Sequence, residues 1–134
     1  MYIKRERYLE KIRPFYELDL IKVLIGVRRC GKSVLLSQIE EEIVKSGVAS
    51  DHIVRVNFED IQFEHIRKAE KLNEFVLAHI ADSEKYYIFL DEIQHVRQFE
   101  KVLASLRATQ NCSIFVTGSN SKLLSGKMAT LLVG

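Results

Sequence analysis

One short stretch constrains the fold more than any other part of the chain. It is Gly26–Ser33, with the sequence GVRRCGKS, and it directly follows the short, mostly apolar run Ile21–Ile25. Such a run suits a strand that is buried on both faces of a parallel sheet. A helix is expected to begin near Gly31, because the apolar residues from Val34 to Ile43 recur at helical spacing. The stretch therefore joins a buried strand to an amphipathic helix.

The stretch matches the pattern G-x-x-x-x-G-K-[ST], in which glycines let the backbone curl so that successive N–H groups face a phosphate. The dipole of the new helix adds to this attraction, Lys32 can reach the β- and γ-phosphates, and Ser33 can ligate Mg²⁺. Average residue frequencies put a random match in a chain of this length at roughly 0.5 %. The residues predicted to contact the nucleotide are Gly26, Val27, Arg28, Arg29, Cys30, Gly31, Lys32, Ser33 and Val34.

The two arginines of this stretch have more than one possible role. Arg28 and Arg29 could contact phosphate, and they could equally face solvent or a partner. Cys30 is interpreted as a small filler of the loop.

Strand-like and helix-like segments alternate along the chain. Alternation of this kind predicts βαβ units, a parallel sheet and right-handed crossovers. The 134 residues suffice for one domain. The predicted fold is therefore α/β, a three-layer α/β/α P-loop NTPase core with a mainly parallel sheet of at least four strands. Strands are predicted at Ile21–Ile25, Ile53–Phe58, Tyr86–Leu90 and Ser113–Thr117, and helices at Lys4–Arg13, Gly31–Lys45, Ala69–Ala81 and Val96–Ala108.

Two acids, Asp91 and Glu92, close the third predicted strand. An acid at this position can hold the shell of a magnesium ion, and a second acid beside it can orient and deprotonate an attacking water. An Asp-Glu pair alone is a weak signal, because acids often cap helices there. With the stretch Gly26–Ser33 upstream, which we call the phosphate loop, the pair indicates Asp91 and Ser33 as metal ligands, and Glu92 and Lys32 as catalytic residues.

The fourth predicted strand ends in Thr117-Gly118-Ser119-Asn120. A polar side chain here could hydrogen-bond the γ-phosphate or the water, and this sensor role is divided between Ser119 and Asn120. The other interpretation is an ordinary turn, which Gly, Ser and Asn favour. Asn57, Glu59 and Asp60 also follow a strand, and we interpret them as solvated loop residues rather than site residues.

Three strings together resemble a group of prokaryotic AAA-type ATPases that usually carry a C-terminal nuclease-like region. They are Gly26–Ser33, Leu90–Gln94 (LDEIQ) and Thr117–Ser125 (TGSNSKLLS). The resemblance implies a core of the additional-strand, catalytic-Glu type, with the Thr117 strand between the P-loop strand and the Asp91 strand. It implies ATP as the nucleotide, Gly26, Gly31, Lys32 and Ser33 as Walker A, Asp91 as Walker B, Glu92 as catalytic base, and Ser119 or Asn120 as sensor.

Such proteins are typically about three times longer, and a Leu-rich segment like Leu131–Gly134 continues into an arginine in similar sequences. We therefore expect residues 1–134 to be an AAA-type nucleotide-binding domain that is truncated at its C-terminus. It would lack the candidate arginine finger, a fifth strand and the C-terminal region. Loss of a finger alone can lower the rate about 10³–10⁵-fold.

The leading hypothesis is Mg²⁺-dependent ATP hydrolysis as the motor or switch core of a larger AAA-type protein. The alternative is a nucleotide-binding switch or remnant with little or no turnover. A small-molecule kinase is less favoured because no lid is evident, and a GTPase because the Asn-Lys-x-Asp signature is absent. Tyr8 and Ile12 are candidates for an adenine wall.

Composition narrows the partners and the location. The net charge is only +2, and the sequence shows no clustered basic face of the kind that binds nucleic acid. Nucleic acid would therefore bind only through the missing C-terminal region. Cys30 and Cys112 form no CxxC pair, which disfavours zinc. No apolar run approaches the ~20 residues of a membrane span, and the chain is expected to be cytoplasmic. AAA-type relatives often form rings, which leaves a homo-oligomer open.

Overall fold

The computed structural model describes residues 6–25, 29–118 and 130–132. Four α-helices and five strands are assigned within these ranges, with short 3-10 turns in several connections. The helices are α1 (Glu6–Ile12), α2 (Arg29–Lys45), α3 (Ala69–His79) and α4 (Phe99–Thr109). The strands are β1 (Lys22–Ile25), β2 (Ile53–Asn57), β3 (Tyr86–Asp91), β4 (Cys112–Thr117) and β5 (Thr130–Leu132).

The strands form one sheet in the order β2-β3-β4-β1-β5, and every pairing is parallel. The predicted α/β fold with a parallel sheet is confirmed. The central position of β4, between the P-loop strand β1 and the acidic strand β3, is the arrangement that the resemblance implies.

The expectation that the chain lacks a fifth strand is wrong. Thr130–Leu132 pairs with Val23–Ile25 in parallel and forms the edge of the sheet. A strand of three residues is too short to show an alternating pattern. Its strand conformation depends on the free side of β1, which is a distant part of the chain.

Several element boundaries differ from the predicted ones. Helix α2 begins at Arg29, two residues before the predicted start near Gly31. Helix α4 begins at Phe99 instead of Val96, because Gln98 has a left-handed backbone (φ 59°) that a helix cannot continue through. Helix α3 ends at His79, and the extended backbone of Ile80 terminates it.

Two apolar clusters cover the two faces of the sheet. Alternate residues of a strand point to opposite faces, so each strand contributes to both clusters. One cluster joins Val54, Ile88 and Val116 to helices α3 and α4. The other joins Leu24, Phe89 and Phe115 to helices α1 and α2, and the rings of Phe89 and Phe115 stack at 5.0 Å. The result is a three-layer α/β/α arrangement. Within the described ranges, no helix is both long and apolar enough to cross a membrane.

The segment between α1 and β1 is fastened to the amino ends of the strands by a buried lysine. Lys22 Nζ donates to the Leu18 carbonyl (2.8 Å) and to Ser113 Oγ (2.7 Å), and it lies 4.8 Å from the centroid of the Phe115 ring. Ser113 Oγ in turn donates to the carbonyl of Tyr16 (2.5 Å). Burial lowers the pKa of Lys22 to about 8, since desolvation disfavours the charged amine.

A tyrosine and a glutamate extend this polar cluster at the amino ends of the strands. The Tyr87 hydroxyl donates to the carboxylate of Glu17, at 2.8 Å from each oxygen. Burial, together with this hydrogen bond to a negative group, raises the pKa of Tyr87 to about 12. Lys85 closes the cluster with an ion pair to Glu17 at 3.0 Å.

Candidate active site

The carboxyl ends of β1, β3 and β4 lie at one edge of the sheet. Leu24 of β1 is in register with Thr117 of β4, and Leu90 of β3 is in register with Val116. Asp91, one residue beyond Leu90, is therefore level with Thr117. Because all strands run in parallel, the polar residues that end them meet at this edge, which is where α/β sheets bind ligands.

Asp91 links three elements through one carboxylate. The side chain is buried, with 1 % of its surface exposed. Ser33 Oγ, in the first turns of α2, donates to Asp91 Oδ2 at 2.5 Å. Thr117 Oγ1, at the end of β4, donates to Asp91 Oδ1 in a short hydrogen bond. A buried carboxylate needs such donors, because an unsolvated negative charge without partners is very unfavourable.

Lys32 lies at the same edge, and its side chain is also buried (2 % exposed). Its Nζ donates to the carbonyl oxygen of Gly118 at 2.6 Å. Gly118 is the first residue after β4, so the ammonium of the phosphate-loop lysine contacts the carboxyl end of the central strand. The sequence placed Lys32 and Gly118 in different motifs, and the structure joins them.

Glu92 has an unusual backbone and a buried side chain. Its φ and ψ angles are 61° and 54°, in the left-handed region, which costs a non-glycine residue on the order of 1–3 kcal/mol. The backbone N–H of Glu92 donates to Thr117 Oγ1 at 2.9 Å, and the carboxylate Oε1 accepts from Gln94 Nε2 at 2.7 Å. Strain of this kind concentrates at functional sites, where surrounding contacts hold it.

Thr117 and Gln94 also belong to this site, although the sequence did not indicate them as site residues. In the sequence, Thr117 indicates only the end of a strand and the start of a turn, and Gln94 is only part of the LDEIQ string. The hydroxyl of Thr117 contacts both Asp91 and Glu92. The signal for Thr117 was a hydroxyl at the end of an apolar strand. Its significance depends on the register with β3, which is a long-range property.

Other predicted site residues fall partly outside the described residues. Gly26, Val27, Arg28, Ser119 and Asn120 lie outside them altogether. Arg29 and Cys30 open helix α2, but their side chains are outside the described part of the structure. Gly31 and Val34 lie in the first turns of α2, the former buried and the latter half-buried.

The remaining candidates lie where packing or solvent accounts for them. Ile12 is 1 % exposed and belongs to the core against α2, so its side chain has no free face for a base; Tyr8 packs half-buried against the same cluster. Asn57 and Glu59 are exposed, and Asp60 accepts from the backbone N–H of Gln62. Asn57 is the last residue of β2, and Glu59 and Asp60 lie just beyond that strand.

A family model described as an AAA domain matches residues 19–134. The chain belongs to this family. An uncharacterised protein of Haemophilus influenzae is 42 % identical over 133 residues, which are 98 % of this chain and 33 % of the relative. An uncharacterised protein of Methanocaldococcus jannaschii is 39 % identical over 114 residues, covering 85 % of this chain and 24 % of that relative.

The chain therefore spans between a quarter and a third of the length of these curated relatives. Membership of the AAA family supports a nucleotide-binding, ATPase-like function. The finer assignment, to a reaction and to individual residues, depends on the contacts at the carboxyl edge of the sheet.

Proposed function

We propose that this chain binds ATP with Mg²⁺ and hydrolyses ATP, as the motor or switch core of a larger AAA-type protein. The observation that carries the proposal is the hydrogen bond of 2.5 Å between Ser33 Oγ and Asp91 Oδ2. It brings the end of the phosphate loop to the acidic end of β3, across 58 residues of sequence. A hydroxyl and a carboxylate that meet beside a buried lysine are the groups that a magnesium nucleotide needs.

The donor set fits magnesium. Mg²⁺ prefers hard oxygen ligands and usually takes only one or two from the protein, with waters and phosphate oxygens completing its shell. Ser33 Oγ and Asp91 would hold the ion, and Thr117 keeps the Asp91 carboxylate in place from its other oxygen. When bound, the ion supplies positive charge that neutralises the β- and γ-phosphate oxygens.

Lys32 would bind the phosphates by exchanging partners. Its ammonium is held by the carbonyl of Gly118, a neutral acceptor. A phosphate oxygen is a stronger, charged acceptor, and charge-assisted hydrogen bonds are roughly twice as strong as neutral ones. The backbone of Gly26–Gly31 and the amino end of the 17-residue helix α2 would add N–H donors and a favourable dipole.

Glu92 would act as the general base. The oxygen of a water molecule forms a bond to the γ-phosphorus, and the bond from that phosphorus to the β–γ bridging oxygen breaks. ADP leaves with the electron pair of the broken bond, and one proton of the water passes to the Glu92 carboxylate. Ser119 or Asn120, which follow Gly118 in the sequence, would serve as the γ-phosphate sensor.

The wider arrangement is part of the same proposal. Residues 1–134 would form one nucleotide-binding domain, and the remaining length of the relatives would supply the arginine finger and the work that hydrolysis drives. A homo-oligomer is the arrangement in which a neighbouring copy could deliver that arginine.

A switch that binds nucleotide without turnover is the second candidate. It is favoured by the internal pairing of Lys32 with Gly118 and of Ser33 with Asp91, because both phosphate-loop side chains are already satisfied without a ligand. Such a site could exchange between a closed state and a nucleotide-bound state with no chemistry.

Calorimetric titration of the full chain with ATP and with GTP, each with Mg²⁺, tests the proposal when phosphate release is followed in the same samples. ATP-selective binding with phosphate release supports the ATPase. Selective binding without release supports the switch. Absence of binding by either nucleotide contradicts both.

A further inference from the structure

Gln94 lies two residues after Glu92, in the 3-10 turn Ile93–His95 that follows β3. The nitrogen and the oxygen of its side-chain amide differ in their hydrogen bonding. Nε2 donates to Glu92 Oε1 at 2.7 Å. The amide oxygen Oε1 is buried and has no hydrogen-bond partner among the described residues. Gln94 therefore presents a buried, unused acceptor beside the proposed base.

The orientation of this amide follows from its neighbour. A carboxylate offers only acceptors, so the amide must turn its N–H towards Glu92. The reversed amide would place two acceptor oxygens against each other. The carbonyl of Gln94 is thereby directed away from the atom that Nε2 contacts.

A buried acceptor without a partner is unfavourable, because it has given up its hydrogen bonds to water. In proteins such groups are usually satisfied by an ordered water, which makes two to four hydrogen bonds to neighbouring polar atoms. The left-handed backbone of Glu92 (φ 61°) adds a second cost within the same three residues. Both costs fall on the segment that would hold the hydrolytic water.

We propose that Gln94 is a positioning residue that holds the hydrolytic water together with Glu92. The inference rests on the proposed ATPase function. Water has two hydrogens, and the Glu92 carboxylate and the Gln94 carbonyl are two acceptors. When each acceptor takes one hydrogen, both hydrogens are fixed and the lone pairs of the water oxygen are free for attack on the γ-phosphorus.

The step balances with Gln94 unchanged. The water oxygen forms the new bond to the γ-phosphorus while the bond to the bridging oxygen breaks and ADP takes the electron pair. The hydrogen that faces Glu92 passes to its carboxylate and later to solvent. The hydrogen that faces Gln94 remains on the oxygen, which becomes part of the phosphate product.

The kinetic test uses Gln94→Leu, which keeps the length of the side chain and removes both polar atoms. We expect kcat for ATP to fall roughly 10- to 100-fold, because a misplaced nucleophile loses the benefit of orientation. The dissociation constant for ATP should change less than about twofold, since Gln94 is assigned no phosphate contact. Gln110→Leu, at a half-buried position directly after α4, is the matched control.

A purely structural role predicts a different pattern. If Gln94 only stabilises the turn, the Leu variant should lose thermal stability and ATP affinity together with activity. A kcat within twofold of wild type, or a fall that parallels a loss of affinity, overturns the inference.

A crystal structure of the wild-type chain with Mg²⁺ and a non-hydrolysable ATP analogue decides the matter even where turnover is low. A water within hydrogen-bond distance of both Gln94 Oε1 and the Glu92 carboxylate supports the inference. An analogue bound without such a water, or with Oε1 bonded to a protein donor, overturns it and leaves the nucleotide site standing. An analogue that does not bind refutes the proposed function, and the inference falls with it.

Discussion

Two buried lysines at opposite ends of one sheet serve different purposes. Lys22 begins β1 and Lys32 belongs to the phosphate loop, and only 1 % and 2 % of their surfaces are exposed. Lys22 donates to a carbonyl and a hydroxyl, both of which belong to the framework at the amino ends of the strands. Lys32 donates to the carbonyl of Gly118, beside the buried acids Asp91 and Glu92.

The difference teaches that burial of a charge does not by itself indicate function. A buried ammonium must have partners, and both lysines have them. What separates the two is their place relative to the strand ends and the charge of their surroundings. At the carboxyl ends of parallel strands, loops and helix N-termini can accept a ligand; at the amino ends here, a packed segment covers the lysine.

The largest effect is expected at the base. Glu92→Gln should lower ATP turnover about 10²–10⁴-fold, because the amide cannot accept the proton of the water. ATP affinity should change little, since the residue acts on the water rather than on phosphate. Phosphate release under single-turnover conditions measures the effect, with the exposed Glu100→Gln as control. Turnover above a tenth of wild type would show that Glu92 is not the base.

Removal of each buried lysine charge should have different effects on ATP binding. Lys32→Ala should weaken ATP binding roughly 100-fold or more, because the phosphates lose their cation. Lys22→Met should leave the ATP dissociation constant unchanged. Lys45→Ala, on the exposed end of the same helix as Lys32, is the matched control in calorimetry. Equal effects on ATP binding at Lys22 and Lys32 would show that the two buried lysines do not differ in function.

The amino-end lysine should instead reveal itself through pH. Because burial lowers the pKa of Lys22 from 10.5 to about 8, the native state loses this proton at a lower pH than the unfolded chain. Between pH 8 and 10.5 the unfolded state binds more protons, so stability rises with pH in this window. Relative to Lys22→Met, wild type should gain on the order of 2 kcal/mol, given about 1.4 kcal/mol per pKa unit.

Urea unfolding of both proteins at intervals from pH 7 to 10 measures that gain. Use of the difference between the two proteins cancels the contribution of Tyr87, whose raised pKa acts in the opposite direction above pH 10. The exposed Lys71→Met serves as the control. Parallel stability curves for wild type and Lys22→Met would contradict the assignment.

The smallest effect is expected at Thr117, which supports both acids without being proposed to touch ATP. Thr117→Val keeps the shape of the side chain and removes the hydroxyl that bonds Asp91 and the Glu92 backbone. Turnover should fall about tenfold, equivalent to about 1.4 kcal/mol. Thr109→Val, on the exposed end of α4, should have no effect. A change confined to thermal stability would assign Thr117 to the framework alone.

Local patterns in the sequence predicted much of this molecule. Two of these patterns lie within a short window: the glycine-rich stretch before a helical period, and the buried strand before Asp91-Glu92. The alternation of strands with helices is a succession of such local patterns. Each follows from rules that act over a few residues: glycine torsions, helical periodicity and apolar runs. These features indicated the α/β fold with a parallel sheet, together with Lys32, Ser33, Asp91 and Glu92 as candidates.

Local patterns did not predict the start of α4, the strand Thr130–Leu132, or the roles of Thr117 and Gln94. The left-handed backbone of Gln98 delays the helix although the apolar period begins at Val96. Thr130–Leu132 is a strand only because β1 has a free edge for it. Neither the backbone conformation of Gln98 nor the free edge of β1 can be predicted from the local sequence of these segments.

By itself the sequence predicted which residues are candidates to bind phosphate and magnesium, because that prediction depends on residue type and on spacing within short motifs. Only the tertiary structure decided which polar groups meet: Ser33 with Asp91, Lys32 with Gly118, and Thr117 with both acids. These pairs are separated by 25 to 86 residues. Their contact depends on strand order and register, which arise from packing of the whole sheet rather than from any local segment.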